Sequence, residues 1–247
     1  MRSARNPIAL LAMAAISLGC DASGPLVPAS PAAVEMSLAE SSIEVGQTTA
    51  ATTVARDGHG VSIDGASAAY ASDAPTIAAV SPTTGAILGI APGTARITAT
   101  IGDRSDGKTV SVFSSPVRIN EIYPNAERPG GYVELYNPTT DTIDLSNWRI
   151  TGRDVSRGFT IPVTAKIPAL GFVLVNEGLF PEGLAAAGEV HLFSRFGVQV
   201  DSYAWDASQA AAFGRCPDGG GPFIALTLPT RKTENACPTA PTGADAR

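Results

Sequence analysis

Apolar and polar residues alternate with a period of two in short runs along most of this chain, and a turn residue closes nearly every run. Val34-Glu35-Met36-Ser37-Leu38 and Ser42-Ile43-Glu44-Val45-Gly46-Gln47 alternate first. Further strand-type runs follow at 76–80, 86–90, 95–100 and 108–112, separated by Ser81-Pro82, Thr84-Gly85, Ala91-Pro92-Gly93 and Asp106-Gly107. A side chain repeat of two puts one face inward and one outward, and strands this short and closely spaced predict a small β-sandwich over 34–113.

A second series starts after Ser114-Ser115-Pro116. Its opening runs, Ile119-Asn120-Glu121-Ile122-Tyr123 and Gly131-Tyr132-Val133-Glu134-Leu135-Tyr136, are predicted as two half-buried strands ending at Tyr123-Pro124-Asn125 and Asn137-Pro138. In 141–151 the apolar positions are 143, 145, 148 and 150, and the change of phase predicts a bulge or tight turn at Ser146-Asn147. Runs at 158–162, 166–168, 171–176, 189–193 and 198–203 complete a second strand-rich domain over 116–237, with Phe223-Ile224-Ala225-Leu226 strand-like near its end. No long amphipathic helix is predicted.

The first 33 residues differ in kind. Arg2 and Arg5 precede an apolar stretch from Ile8 to Leu18 that ends in Ser17-Leu18-Gly19-Cys20, the parts of an export signal over 1–19. A cysteine at this place resembles the lipobox of bacterial lipoproteins, with Ser17 where that family usually carries Leu. The resemblance implies a diacylglycerol on Cys20; ordinary secretion after small-x-small cleavage is the alternative. Residues 20–33 are rich in Pro, Ala and Ser and read as a disordered tether, about 40 Å long if extended. Residues 238–247 read as a frayed tail.

Composition narrows the function classes. The chain has 247 residues, 16% of them charged, with 25 Gly and 19 Pro, which suits strands and tight turns. Its formal charge of −6 is spread evenly, with 8 acids against 4 bases over 34–115 and 13 against 10 over 116–237. No basic stripe exists to neutralise phosphates, so no nucleic-acid partner is expected. No apolar run reaches the roughly 18 residues of a membrane-spanning helix.

Candidate chemistry is sparse. Glu121 and Glu134 are the sharpest pair, because paired carboxylates can exchange protons or hold a cation. With Asn120 and Asn137 they are read instead as a surface or structural polar cluster that bonds to backbone groups, Arg215 or Arg149 being possible ion-pair partners. His59 lies between glycines in a predicted loop and His191 on a predicted strand; neither has a second ligand in a metal-binding spacing. Asp103-Arg104-Ser105-Asp106-Gly107 has the look of part of a calcium loop, but is read as a hairpin turn. No catalytic residue, cofactor site or metal site is assigned. Cys216 and Cys237 sit close together in the C-terminal region and are expected to pair in an oxidising envelope, which leaves Cys20 over.

Two further resemblances rest on longer stretches. Glu44-Val45-Gly46-Gln47, the segment from Ala69 to Val80 and the segment from Gly85 to Ala99 resemble the group 2 bacterial Ig-like domain, with Tyr70 where Trp is common. Ile119-Asn120-Glu121-Ile122, Tyr132 to Pro138, Asp144 to Trp148, Gly171 to Val175, Val200-Asp201-Ser202, Gly214 to Gly219, Pro229-Thr230 and Asn235 resemble the lamin-tail domain, with Tyr132 where Trp is common. These resemblances imply an all-β chain of two Ig-like β-sandwich domains in tandem, after a signal peptide and a disordered linker. The Ig-like resemblance implies no catalysis. The expected function is that of a non-enzymatic envelope lipoprotein, held to a membrane by its N-terminal lipid and facing the periplasm or exterior. An Ig-like spacer would then present a lamin-tail domain to an envelope protein or glycan. The alternatives are a secreted hydrolase or nuclease, or an accessory module of one, and a calcium-dependent adhesin.

Overall fold

The structure, a computed structural model, describes residues 31–124, 130–206 and 211–238. The signal segment, Cys20, nearly all of the tether and all of the tail but Pro238 lie outside them. The first eight strands are β1 (Ala33–Leu38), β2 (Ser42–Glu44), β3 (Thr48–Arg56), β4 (Ala69–Ser72), β5 (Ala78–Val80), β6 (Ala86–Gly89), β7 (Gly93–Ile101) and β8 (Arg104–Phe113). They form two four-stranded sheets, β1-β3-β6-β5 and β2-β8-β7-β4, antiparallel except for the parallel pair β2–β8. Between them lie Ile43, Ile87, Ile97, Val110 and Val112, packed on the small side chains of Ala51, Ala95 and Ala99.

Three details depart from the sequence expectation. β1 begins at Ala33, inside the segment read as tether. β3, Thr-Thr-Ala-Ala-Thr-Thr-Val-Ala-Arg, is a nine-residue strand that the apolar pattern did not reveal, since its inward positions are filled by Thr49, Ala51 and Ala55 rather than by large residues. The hairpin turn expected at Asp103–Gly107 falls instead at Gly102-Asp103, where Gly102 takes φ +61°, and Asp106 and Gly107 lie within β8. A Tyr in a core slot needs a partner for its hydroxyl, and Tyr70 shares a 2.9 Å hydrogen bond with Thr53 Oγ1.

The second sandwich is built from β9 (Arg118–Tyr123), β10 (Tyr132–Tyr136), β11 (Ile143–Asp144), β12 (Arg149–Thr151), β13 (Gly158–Thr160), β14 (Lys166–Ile167), β15 (Phe172–Asn176), β16 (Gly188–Phe193), β17 (Gln199–Trp205), β18 (Ala212–Arg215) and β19 (Phe223–Leu226). One sheet runs β15-β10-β9-β18-β19, the facing sheet β13-β12-β16-β17, and β11 pairs with β14. The only helical element among the described residues is a single 3₁₀ turn, Glu177–Leu179. Trp148 is 1% exposed in the core, with Val133, Leu135, Ile150, Val190 and Leu192 around it. The expected tight turn is present before it: Asn147 has φ +63°, and the Trp148 amide donates to Leu145 O at 3.1 Å. Asn and Asp adopt this left-handed conformation more readily than bulkier residues do.

β9 and β10 pair antiparallel, but they are not half-buried as the alternation led one to expect. Both faces are covered, because β9 is the central strand of its sheet and the C-terminal segment lies across its polar face.

Candidate functional site

In the register of β9 and β10, Glu134 stands directly opposite Glu121. The pairing then slips: Leu135 pairs with Ile119, so Asn120 is the extra residue of a β-bulge and has no opposite number. On its other side Glu121 stands opposite Gly214 of β18. A Cβ at Gly214 would lie 2.7 Å from Asn235 Nδ2, so glycine here gives the C-terminal segment room to approach.

Two like charges facing each other across a sheet repel, and burial makes each costlier. Asn120, Glu121 and Glu134 are all fully buried, which corrects the surface placement considered for this cluster. The donors that compensate come from the segment after β19. Thr230 donates to Glu121 through its backbone N–H, at 2.9 Å, and through its hydroxyl. The Tyr132 hydroxyl also donates to Glu121, so the residue in the usual Trp position takes part in the cluster. The Lys232 N–H donates to Glu134 Oε2 at 2.5 Å, with Lys232 held at φ +62°. Asn120 Nδ2 donates to Glu134 Oε1 at 3.3 Å and to Asp218 Oδ1 at 2.9 Å, while its Oδ1 accepts from the Gly219 N–H. Asn235 Nδ2 donates to the backbone oxygens of Asn120 and Arg215.

Burial raises the Glu134 carboxyl to about 7. The neighbouring charges of Glu121 and Asp218 push the same way, against the Lys232 N–H and the Asn120 amide. Burial, with the Glu121 carboxylate beside it, moves the Tyr132 hydroxyl well above the usual phenol range, so it stays a donor.

Two expected associations are absent. Asn137 does not join the cluster: its amide donates to Asp141 O and Pro168 O, and its Oδ1 accepts from the Thr139 N–H, fixing the turn after β10. Neither arginine pairs with the glutamates. Arg215 donates to both oxygens of Asp201 at 3.0 Å, to Ile119 O and to Gly221 O, and Arg149 donates to Val155 O. Thr230, Lys232, Asp218 and Asn235 carry the arrangement from a stretch without periodicity, and only their membership in the lamin-tail resemblance marked three of them beforehand.

The remaining candidates are scattered. Cys216 and Cys237 form the expected disulfide, Cα–Cα 5.4 Å, which closes the covering segment. His59 is exposed on its loop. His191 Nε2 lies 3.8 Å from Glu189, and neither ring nitrogen finds a hydrogen-bond partner among the described residues. Asp106 accepts from the Met36 N–H and faces Lys108. Among the described residues no three His, Cys, Asp or Glu side chains are grouped to hold a metal ion. The glutamate pair is buried, and its oxygens bind the chain's own donors.

Two β-sandwiches in series, the second closed by a polar clasp, define the class of the molecule. Residues 32–112 match the family model of the Bacterial Ig-like domain (group 2), and residues 113–212 match that of the Lamin Tail Domain. The chain thus carries a group 2 bacterial Ig-like domain followed by a lamin tail domain. Neither is an enzyme family. The second match stops at Ala212, whereas β18 pairs with β9 and the clasp runs on to Asn235.

Solved structures that this chain is similar to include domains 4 and 5 of the S-layer protein SbsC, with TM-score 0.33, 13% identity, 67% of this chain and 94% of that one. The Escherichia coli adhesin FdeC gives 0.32, 16%, 71% and 61%. The Yersinia pseudotuberculosis adhesin InvE gives 0.28, 15%, 74% and 67%. Scores this low add nothing to the assignment of the two domains. No curated protein matches the chain.

Proposed function

We propose that this chain is a non-enzymatic lipoprotein of the bacterial envelope, in which the Ig-like domain is a spacer and the lamin tail domain the part presented to an envelope protein or glycan. The observation that carries the anchoring is cysteine parity. The Cys216–Cys237 disulfide uses two of the three cysteines in the sequence, and the third, Cys20, directly follows the basic and apolar export segment. A disulfide fits an oxidising compartment. At about 0.8 kcal/mol per buried methylene, two or three acyl chains hold a folded domain firmly on a bilayer. The binding role is supported by the lack of spare chemistry: the carboxylate pair, the sharpest catalytic candidate, is engaged by Thr230, Tyr132, Lys232 and Asn120.

Metabolic labelling with radioactive palmitate tests the anchor. The wild type is expected to carry label and to fractionate with membranes, and Cys20→Ala to lose both. An unlabelled wild type recovered from the medium would overturn the lipid and leave plain secretion.

A further inference from the structure

Where the two sandwiches meet, a cleft of about 480 Å³ opens between the end of β8 and the β10–β12 region. Its walls combine charged and apolar side chains. Glu44, Asp141 and Asp144 supply three carboxylates against one guanidinium, that of Arg195, and Phe113, Ile143 and Trp148 supply apolar surface. Phe113 is 47% exposed at the mouth and Trp148 is buried at the floor.

Glu44 is the unusual member. It is only 9% exposed, yet its carboxylate accepts no hydrogen bond and makes no ion pair among the described residues, although both its backbone groups are bonded locally. Its oxygens are not sealed from solvent, so a mostly buried side chain leaves its charged end open to be met by a ligand. Arg195 lines the same cleft but is turned to others, 3.8 Å from Asp144 and 5.0 Å from the Phe196 ring centroid. Burial accordingly holds the Glu44 carboxyl above its ordinary range in spite of the Arg195 charge.

We propose that this cleft binds an organic ammonium group on a short aliphatic stem, the chemistry of a lysine side chain, with Glu44 as its counter-charge. Metal ligation is a poorer fit, since only Glu44 among the acids is buried and no three ligating side chains are grouped there. An ammonium needs one carboxylate and a few neutral acceptors, which Glu44 and the hydroxyls of Ser114, Thr139 and Thr142 can provide. Asp141 and Asp144, exposed at the rim, favour approach of a cation, and Phe113 offers both a wall for the methylenes and a ring face for the charge. The volume falls within the usual range of small-molecule sites, roughly 300–1,000 Å³. This inference goes beyond the anchoring above and does not depend on it.

Isothermal titration calorimetry on the full chain tests it with Nα-acetyl-lysine N-methylamide and its uncharged isostere, Nα-acetyl-norleucine N-methylamide. Saturable binding is expected for the lysine compound alone, weakened at least tenfold by Glu44→Gln and severalfold by Phe113→Ala, an exposed position where truncation leaves the fold intact. Should Glu44→Gln melt below the wild type, Asp141→Asn takes its place with an expected loss of at least threefold. No saturable heat with the lysine compound, equal binding of both compounds, or variants that bind as the wild type does would each overturn the proposal; the first would mean that Arg195 alone neutralises Glu44.

Discussion

Glu134 is the residue whose environment has the clearest consequence in solution. Its carboxyl titrates near 7 in the folded chain against 4.5 as the ordinary value, so folding raises its pKa. Below about 4.5 the group is protonated in both states and folding loses nothing. As pH rises from there through 7, the unfolded chain ionises more readily, and stability falls by about 3 kcal/mol for a shift of this size. Glu44, also raised by burial, acts in the same direction. The melting temperature is therefore expected to decrease between pH 5 and pH 8, and Glu134→Gln, which cannot ionise, to flatten that slope. Calorimetric scans of both proteins across this range check it; a variant with the wild-type slope would show that Glu134 is not the group responsible.

At the scale of elements, the segment from Cys216 to Cys237 is closed on itself by the disulfide and held to β9 and β10 by the donors of Gly219, Thr230, Lys232 and Asn235. Closing a loop of 21 residues contributes about 3 kcal/mol on the chain-entropy estimate. The double variant Cys216→Ser/Cys237→Ser is expected to lose about that much in guanidinium unfolding, while far-ultraviolet circular dichroism stays native because the hydrogen bonds remain. An unchanged midpoint would mean that the clasp alone fixes the segment. The disulfide, the β9–β10 motif and the turn at Asn147 were legible in the sequence, each carried by a local signal: cysteine parity, alternation, a break of phase. What hid was of another kind. β3 buries Thr and Ala, too small to register as an apolar face, and the double burial of β9 depends on a segment about a hundred residues away. The polar positions that normally mark a solvent face, Asn120, Glu121 and Glu134, mark here the underside of another piece of chain.

At the scale of the whole molecule, the question is whether the two sandwiches behave as one body. Their junction includes the β2–β3 turn set against the β16–β17 turn, where Gly46 lies against Phe196 and Val198. Gly46 has φ +86°, and a Cβ there would lie 2.6 Å from Val198 Cγ2 and 2.8 Å from Phe196 Cβ. An alanine is therefore strained by its own backbone, by about 1 kcal/mol, and must also push the second domain's turn away from the first. Close packing tolerates no such intrusion without a shift, so Gly46→Ala is expected to loosen the junction while leaving both cores, centred on Ile97 and Trp148, intact. Differential scanning calorimetry separates the two effects. The wild type should unfold in one cooperative transition, and the variant in two, the Ig-like domain and the lamin tail domain melting apart. Were the variant to keep a single transition at a slightly lower temperature, Gly46 would matter only for its own turn, and the coupling of the domains would have to reside in the chain that joins them, from Phe113 to Val117.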